Sequence, residues 1–380
     1  MSALNQASAA AVTALARPAI RALQPYQPGK PVSELQRELG ISEIIKLASN
    51  ENPLGPSARA LAAAQAALSE LTRYPDGSGF ALKAALAERH AVDLDRITLG
   101  SGSSELLELI ARVLLSADDE VIHSQHAFLL YPLITQIAGG RSVVVPAQDW
   151  GHDLDAMAAA VGERTKLIYI ANPNNPTGTW VGRAALQRFL DQVPSRVVVV
   201  LDEAYYEYAA AADVDYPSDT IDWIDRYPNL MVTRTFSKGF GLAALRVGYA
   251  ICQPALADLL NRVRPPFNVT SVGLAAAAAV LEDSDYLQRS IAINRDGLAQ
   301  LFTGFAQLGL PAIRSIGNFI AVDMGQPAAP LYQQLLQAGV IVRPIAGYEM
   351  PHHLRVSVGL PAENARLLTA LAPYSPHLTS

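Results

Sequence analysis

The sequence predicts an α/β protein: a large domain around a doubly wound, mostly parallel sheet of seven strands, followed by a smaller α+β domain. Short β-branched runs alternate with helical patterns between about residues 57 and 252, which is typical of βα units on a parallel sheet. The length of 380 residues suits two domains. After Pro265 and Pro266 the pattern changes to long helical stretches and short strands.

The elements of both domains are predicted from apolar runs and helical periodicity. Strands of the large sheet are expected at residues 97–99, 120–123, 142–145, 166–171, 196–201, 230–235 and 247–252. Helices are expected at residues 103–115, 128–138, 153–161, 182–193, 269–282 and 285–308, with further strands near 319–323 and 353–358. We assign residues 1–48 to an N-terminal arm and part of the small domain, 49–265 to the large domain and 266–380 to the small C-terminal domain.

The composition excludes several classes of function. With 29 Lys and Arg against 35 Asp and Glu, the chain has no excess of cations for a nucleic-acid backbone. Its longest alanine-rich apolar run, residues 272–281, is about half the ~20 residues of a membrane span. The single cysteine, Cys252, cannot form an internal disulfide, and the histidines form no HExxH pair. We therefore expect a cytoplasmic protein that binds no metal, nucleic acid or membrane.

Polar residues follow two buried strands of the predicted sheet, where ligands bind in open parallel sheets. In NPNNPTG, residues 172–178, two prolines and a glycine fix a turn that aims Asn175, although asparagines also simply stabilise turns. The run RVVVVL, residues 196–201, delivers Asp202 at its end. This carboxylate either caps the next helix or pairs with a protonated ring nitrogen of a ligand.

A lysine follows a third strand, in TRTFSKGFGLAALRVGY, residues 233–249. A lone lysine is usually a solvated surface charge. Glycine and apolar residues surround Lys238, however, and such surroundings disfavour the ammonium form and free the amine for a Schiff base. Ser237 and Arg246 lie in the same segment. Together with the other two strand ends, they favour a functional role for Lys238.

A glycine- and serine-rich loop, LGSGSSE, ends a strand and opens a helix at Ser103. The free amides of a helix start bind phosphate, although serines are also common caps. Glu105 occupies the third glycine position of GxGxxG, which disfavours a dinucleotide site. Pyridoxal 5′-phosphate requires all four of these features, the three strand ends and the loop. Its aldehyde needs an amine and its ring nitrogen needs an anion. Its ring oxygen needs hydrogen-bond donors, and its phosphate needs a helix start with a cation.

These motifs resemble those of the fold-type I, aspartate-aminotransferase-like family of pyridoxal-phosphate enzymes. The resemblance covers nearly the whole chain, through LQPYQPGKP (23–31), LASNENPLGP (47–56), RYPDG (73–77), NPNNPTG, LDEAYYEY (201–208), TFSKGFGLAALRVGY (235–249) and LRVSVG (354–359). Within the family, the ordered set looks most like the histidinol-phosphate aminotransferases. It implies that residues 49–265 form the cofactor-binding domain of a fold-type I transferase.

The resemblance also implies roles for the residues that bind the cofactor. Lys238 would bind the aldehyde as a Schiff base, Asp202 would hold the ring nitrogen, and Tyr205 and Asn175 would bond the ring hydroxyl oxygen. The remaining cofactor contacts would come from the phosphate-binding Ser103, Ser104, Ser237 and Arg246, the ring-stacking Phe128, and Tyr74, which reaches the partner subunit in a homodimer.

Substrate binding is implied for a further set of residues. Arg355 would bind the acidic end of the substrates, and Tyr26, Asn175 and Arg343 would complete the pocket. The chain departs from the commonest family pattern at three positions, namely Ser104 for aspartate, Phe128 for tyrosine and His126 for proline. Because amides and an aromatic face suffice for the cofactor, these departures bear on the identity of the amino donor and acceptor.

The implied reaction is transamination, in which histidinol phosphate and 2-oxoglutarate give imidazole acetol phosphate and glutamate in histidine biosynthesis. One alternative is an aromatic or broad-range amino-acid aminotransferase on the same scaffold. A second is a phosphothreonine-type decarboxylase, a lyase of the same family that needs no keto-acid acceptor. A cofactor-binding regulatory module is disfavoured, because no basic helix-turn-helix segment is left to read DNA.

Overall fold

The computed structural model describes residues 12–25, 29–212 and 214–375. Its strands are β1 (Ile45–Lys46), β2 (Ile97–Gly100), β3 (Glu120–Ser124), β4 (Arg141–Val145), β5 (Thr165–Ala171), β6 (Val198–Asp202), β7 (Leu230–Thr235), β8 (Gly248–Ile251), β9 (Phe319–Asp323), β10 (Val340–Ile341), β11 (Arg343–Pro344) and β12 (His353–Ser357). Seven of these form one sheet in the order β2-β8-β7-β6-β5-β3-β4, as predicted. All neighbours in it are parallel except β8, which is antiparallel to both β2 and β7.

Helices lie between the strands, and the six that were predicted begin and end within two residues of their predicted limits. They are α1 (Pro18–Arg21), α2 (Val32–Leu39), α3 (Ala58–Ala67), α4 (Phe80–His90), α5 (Ser103–Leu114), α6 (Leu130–Ala138), α7 (Leu154–Ala159), α8 (Arg183–Gln192), α9 (Tyr206–Ala209), α10 (Pro254–Val263), α11 (Ser271–Leu281), α12 (Ser284–Gln307), α13 (Ala328–Gln337) and α14 (Pro361–Leu371). Short 3-10 turns join several of them. None of the helices in the described ranges has both the length and the apolar character needed to cross a membrane.

The central strands are buried on both faces, which explains their continuous apolar runs. Along β5, Ile168 and Ile170 join one hydrophobic core and Leu167 and Tyr169 join another, since successive side chains point to opposite faces of a sheet. Helices cover each face and complete these two cores. The centre of the sheet is therefore closely packed, and the side chains at its strand ends extend from this packed core.

The register of the central strands places three polar strand ends at one edge. Asp202 lies opposite Ala171 of β5 on one side and Thr233 of β7 on the other. NPNNPTG continues from β5, and the turn with Lys238 continues from β7. The three segments singled out in the sequence thus meet beside one another, as expected at the carboxyl ends of parallel strands.

A second sheet lies in the C-terminal part of the chain. Strands β11, β12 and β9 are antiparallel, and they pack with α12, α13 and α14 around a third core that includes Leu301, Ile320, Leu335, Val356 and Leu367. Strand β1, from the N-terminal segment, pairs in parallel with β10. Strands β1, β10 and β11 were not predicted, because two residues are too few to show periodicity. The domain boundaries at residues 48 and 265 stay a prediction.

Candidate active site

One cavity lies between the carboxyl edge of the large sheet and strand β12. Eleven of the residues singled out in the sequence line it, namely Ser103, Ser104, Phe128, Asn175, Asp202, Tyr205, Ser237, Lys238, Arg246, Arg343 and Arg355. Tyr74 lies elsewhere on the surface, and Tyr26 lies outside the described residues. The fold thus gathers segments that are up to about 250 residues apart, and their individual roles stay predictions.

Lys238 follows β7 in a tight turn, and its Nζ donates to the backbone oxygen of Ser49 at 3.0 Å. Burial lowers the pKa of Lys238 to about 7, and the positive charge of Arg355 acts in the same direction. Its Nζ lies 5.8 Å from the centre of the Tyr205 ring. A large fraction of Lys238 is therefore the nucleophilic free amine at neutral pH.

Asp202 is the last residue of β6, and its carboxylate accepts hydrogen bonds from two neighbouring side chains. The Tyr131 hydroxyl donates to Oδ2 at 2.9 Å and Thr233 donates to Oδ1 at 3.1 Å. Burial raises the pKa of Asp202 to about 6, and these two bonds oppose that rise. Both donors favour the ionised form, so the carboxylate can be an anion in a largely apolar setting.

The neighbouring carboxylate, Glu203, belongs to a different network. Arg234 donates to its Oε2 from Nε at 2.9 Å and from Nη2 at 2.8 Å, and Thr220 donates to its Oε1 at 2.7 Å. Glu203 and Arg234 are both fully buried, so this pair neutralises its own charge inside the protein. Among the two adjacent acids, only Asp202 therefore faces the cavity.

Tyr205 and Asn175 present polar atoms on the same side of the cavity. The Tyr205 hydroxyl accepts a hydrogen bond from Asn50 Nδ2 at 2.9 Å, and burial raises its pKa to about 12, so the phenol keeps its proton. The side-chain oxygen of Asn175 accepts from Arg355 Nη1 at 2.6 Å. Both peptide bonds before the prolines of NPNNPTG, at Pro173 and Pro176, are cis.

Groups that are able to bind an anion lie together at the start of α5. Gly102 precedes the helix with no side-chain cap, so the amides of the first turn have no partner from a capping group. Gly102 has a φ of +77°, and a Cβ there would lie 2.2 Å from Arg246 Nη2. Arg246 Nη1 also donates to Ser237 Oγ at 3.2 Å. Helix start, guanidinium and hydroxyl converge as a phosphate requires.

Two arginines form the opposite wall. Arg343 of β11 and Arg355 of β12 are direct partners across the antiparallel pair, and both line the cavity. Arg355 is buried, and its Nη2 donates to the backbone oxygen of Ala48 at 2.8 Å, while its Nε has no partner among the described residues. Like charges directly opposite each other are unfavourable, so this wall favours an anionic ligand.

The two aromatic residues predicted to contact the cofactor, Phe128 and Tyr74, lie in different places, one in the cavity and one on the surface. Phe128 lines the cavity, with its ring edge-on to Tyr131 at 5.8 Å between centroids. Tyr74 is 82% exposed and stacks on Phe267 at 4.7 Å. It does not line the cavity of its own chain, and its role across a subunit boundary stays a prediction.

Among the lining residues to which the sequence assigned no role, Tyr131 and Asn50 have side chains that hydrogen-bond Asp202 and Tyr205. Tyr131 lies three residues after Phe128 in HAFLLY, and Asn50 lies within the quoted motif LASNENPLGP. Their partners, Asp202 and Tyr205, are 71 and 155 residues away along the chain. The spacing of Phe128 and Tyr131 on one helical turn was the available signal for Tyr131.

The donor set fits pyridoxal 5′-phosphate. A buried amine, a carboxylate, a phenol with an amide, and a helix start with a guanidinium face one another across a single cavity. Each corresponds to one functional group of that molecule. Metal ligands of comparable arrangement are lacking, since the described ranges contain no cluster of three or more His, Cys, Asp or Glu side chains suited to a metal.

Comparisons with known proteins agree with this geometry. The family model described as aminotransferase class I and II matches residues 42–371. "Histidinol-phosphate aminotransferase 2" of Pseudomonas fluorescens is 59% identical over 361 residues, which covers 94% of this chain and 97% of that protein. "Histidinol-phosphate aminotransferase 1" of Nitrosococcus oceani is 56% identical and covers 94% of this chain and 96% of its own.

Solved structures share the fold. The histidinol-phosphate aminotransferase of Sinorhizobium meliloti, in complex with pyridoxal-5′-phosphate, has a TM-score of 0.87 and 31% identity over 96% of this chain and 98% of that one. The aspartate aminotransferase of Thermus thermophilus with maleate has a TM-score of 0.80 and 21% identity over 94% of this chain and 99% of that one. At that identity the second likeness concerns the fold alone.

Proposed function

The chain belongs to the class I and II aminotransferases, and we propose that it transfers the amino group of histidinol phosphate to 2-oxoglutarate, giving imidazole acetol phosphate and glutamate in histidine biosynthesis. The observation that carries the proposal is a single cavity in which Lys238 faces Asp202 beside an anion-binding helix start. Pyridoxal 5′-phosphate is the cofactor of this family, and the donor set described above supports it here.

Lys238 is the proton carrier in this proposal. When bound, the cofactor supplies an aldehyde that condenses with amines and a ring that draws electrons from the adjacent carbon. The Lys238 amine accepts the proton of the carbon that bears the substrate amino group and later returns it. A pKa of about 7 suits both steps, because a general base works best when its pKa lies near the working pH.

Asp202 holds the ring nitrogen in its protonated state. The hydrogen bonds from Tyr131 and Thr233 keep the carboxylate ionised and fix its direction, so it presents a negative charge where the ring needs one. Tyr205 and Asn175 act at the ring oxygen, and the α5 start with Ser237 and Arg246 holds the phosphate. Phe128 covers one face of the ring.

Arg343 and Arg355 bind the acidic ends of the two substrates. Histidinol phosphate carries a phosphate ester and 2-oxoglutarate carries two carboxylates, and planar guanidinium groups bind both kinds of anion in a bidentate manner. One pair of arginines therefore serves both halves of the reaction. Tyr26 remains a predicted part of this pocket, outside the described residues.

The rate with histidinol phosphate, compared with the rate with phenylalanine, tests the substrate. We expect a clear preference for histidinol phosphate with 2-oxoglutarate as acceptor. The relatives described above share one name, which favours this donor over the broad-range and decarboxylase alternatives. A preference for phenylalanine would support the broad-range alternative, and carbon dioxide release without a keto acid would support the lyase.

We also propose that the enzyme is a homodimer with Tyr74 at the partner's phosphate site. Tyr74 is mostly exposed, as are the apolar side chains of Leu68, Leu71 and Phe80, whose contact with water a second copy would remove.

The cytoplasm remains a predicted location, which fractionation of cells producing the protein would test.

A further inference from the structure

Asn50 adopts a backbone conformation that its surroundings must maintain. Its φ is +54°, in the left-handed region that non-glycine residues rarely enter, although asparagine tolerates it better than most. The residue is 1% exposed. It lies between the cavity and the second sheet, and no role was assigned to it from the sequence.

Three hydrogen bonds from the C-terminal part of the chain fix Asn50 in place. Its backbone nitrogen donates to Ser357 Oγ at 2.7 Å, and Ser357 Oγ donates back to Asn50 Oδ1 at 3.0 Å. Asn318 Nδ2 donates to the backbone oxygen of Asn50 at 2.9 Å. With its oxygen engaged by Ser357, the side chain turns its nitrogen toward Tyr205.

The remaining contact determines the direction of one proton. Asn50 Nδ2 donates to the Tyr205 hydroxyl at 2.9 Å, and an amide nitrogen can only donate. The Tyr205 oxygen is therefore the acceptor, and its own proton must point elsewhere. Among the described residues no acceptor takes that proton, while the side chain lines the cavity. The charged groups near Tyr205 are Lys238, Arg355 and Asp202.

We propose that Asn50 is a positioning residue that makes Tyr205 a hydrogen-bond donor toward the cavity, by occupying the acceptor side of its hydroxyl. The inference rests on the proposed function, because the oxygen that would receive the proton is the ring oxygen of pyridoxal 5′-phosphate. Its left-handed backbone is maintained so that the amide reaches Tyr205 in the required orientation. Asn50 itself acts through Tyr205 and does not touch the reacting atoms.

The test measures the pH at which the visible absorbance of the cofactor-loaded protein changes. A hydrogen-bond donor lowers the proton affinity of the oxygen that it contacts and of any group that shares a proton with that oxygen. Loss of the Tyr205 donor should therefore raise the pH midpoint of the absorbance change. Asn50→Gly removes the amide and tolerates the positive φ. Asn50→Asp keeps the bond from Ser357 but offers Tyr205 an acceptor. We expect increases of about one pH unit, larger for Asn50→Asp.

Two further variants separate the explanations. In a Tyr205→Phe background, Asn50→Gly should add no further increase, since the hydroxyl through which it acts is gone. Asn294→Asp is the matched control: Asn294 is a buried asparagine whose amide donates to the backbone oxygen of Gly317, and its substitution should leave the midpoint unchanged.

Each outcome bears on the proposal. Equal increases in the wild-type and Tyr205→Phe backgrounds, or unchanged midpoints in both Asn50 variants, would overturn it while the wild-type protein still loads cofactor and transaminates. A wild-type protein that gains no visible absorbance with pyridoxal 5′-phosphate would instead overturn the proposed function, and this inference with it.

Discussion

Lys238 owes its chemistry to its surroundings. Burial and the charge of Arg355 lower its pKa to about 7, so the fraction of free amine should rise as the pH increases through 7 and level off above it. We therefore expect the rate at which cofactor-free protein binds pyridoxal 5′-phosphate to follow that curve. Stopped-flow absorbance across pH 5 to 9 would measure it, where about 7 marks the midpoint.

A pair of substitutions at Arg355 tests the second cause. Arg355→Gln removes the neighbouring charge, so the ammonium form of Lys238 becomes less unfavourable and the midpoint should increase. Arg355→Lys is the matched variant, since it retains a positive charge and should change the midpoint less. A midpoint near the ordinary lysine value in the unmodified protein would contradict the account of this residue.

Tyr131 should keep Asp202 ionised. Tyr131→Phe removes a donor to the carboxylate, so the pKa of Asp202 should rise above about 6 and activity should fall at a higher pH on the acid side. The expected displacement is about one to two pH units, because a hydrogen bond to a charged group contributes about 1.5–3 kcal/mol and one pKa unit corresponds to about 1.4 kcal/mol. The pH profile of kcat/KM measures it.

Tyr169→Phe is the control for that prediction. Tyr169 stacks on Tyr131 at 4.5 Å and is equally buried, but its hydroxyl donates to the backbone oxygen of Leu107. It should lower stability and leave the acid limb in place. If Tyr131→Phe and Tyr169→Phe shift the acid side of the kcat/KM profile equally, the effect comes from packing and not from the bond to Asp202.

Residues at strand ends were predictable from sequence, and their supporting partners were not. Asp202, Asn175 and Lys238 follow apolar runs, and the geometry of parallel sheets alone brings such positions together. Tyr131 and Asn50 act through bonds to residues far away in the chain. No local pattern contains the tertiary packing that creates those bonds.

At the scale of elements, the start of α5 has space only for a glycine at position 102. Gly102→Ala places a Cβ 2.2 Å from Arg246 Nη2, which forces the guanidinium away from the helix start. We expect the affinity for pyridoxal 5′-phosphate to fall about 10- to 100-fold, the order of one or two lost charge-assisted bonds. Fluorescence titration of the cofactor-free protein would measure it.

Gly40→Ala is the matched control for the backbone. Gly40 has a similar φ of +68°, with nothing within 4 Å of an added Cβ. Both substitutions carry the cost of a left-handed alanine, roughly 1–2 kcal/mol of stability, but only Gly102→Ala should weaken cofactor binding. Equal cofactor affinities in the two variants would show that the contact with Arg246 is unimportant.

All seven strands of the large sheet and six helices were predicted from the sequence, whereas no bounds were predicted for other long helices such as α10 and α13, nor for the two-residue strands. The seven long strands appear within one or two residues of their predicted limits, because β-branched runs and turn residues bound them. The antiparallel direction of β8 could not be predicted from its residues GYAI, because strand direction depends on how the chain returns to the sheet. Strand β1 exists only because β10 lies beside it.

At the scale of the whole molecule, the exposed position of Tyr74 predicts that each active site is completed by two chains. Protein with Tyr74→Ala and protein with Lys238→Ala should each be impaired when alone. Mixed after dissociation, they should form hybrids in which one site has both residues, restoring about a quarter of the wild-type sites at equal amounts. Activity at limiting cofactor measures the gain, and the absence of any gain would place Tyr74 outside the partner's site.

The central claim is that Lys238 and Asp202 act on one pyridoxal 5′-phosphate in an amino-transfer cycle. The most direct measurement is a spectroscopic titration of the cofactor-loaded protein with histidinol phosphate and then with 2-oxoglutarate. The account predicts that the visible absorbance disappears with the first and returns with the second, that Lys238→Ala abolishes the cycle, and that Lys166→Ala, at the other end of β5, preserves it. A Lys238→Ala protein that still completes the cycle, or a wild-type absorbance that neither substrate changes, would contradict it.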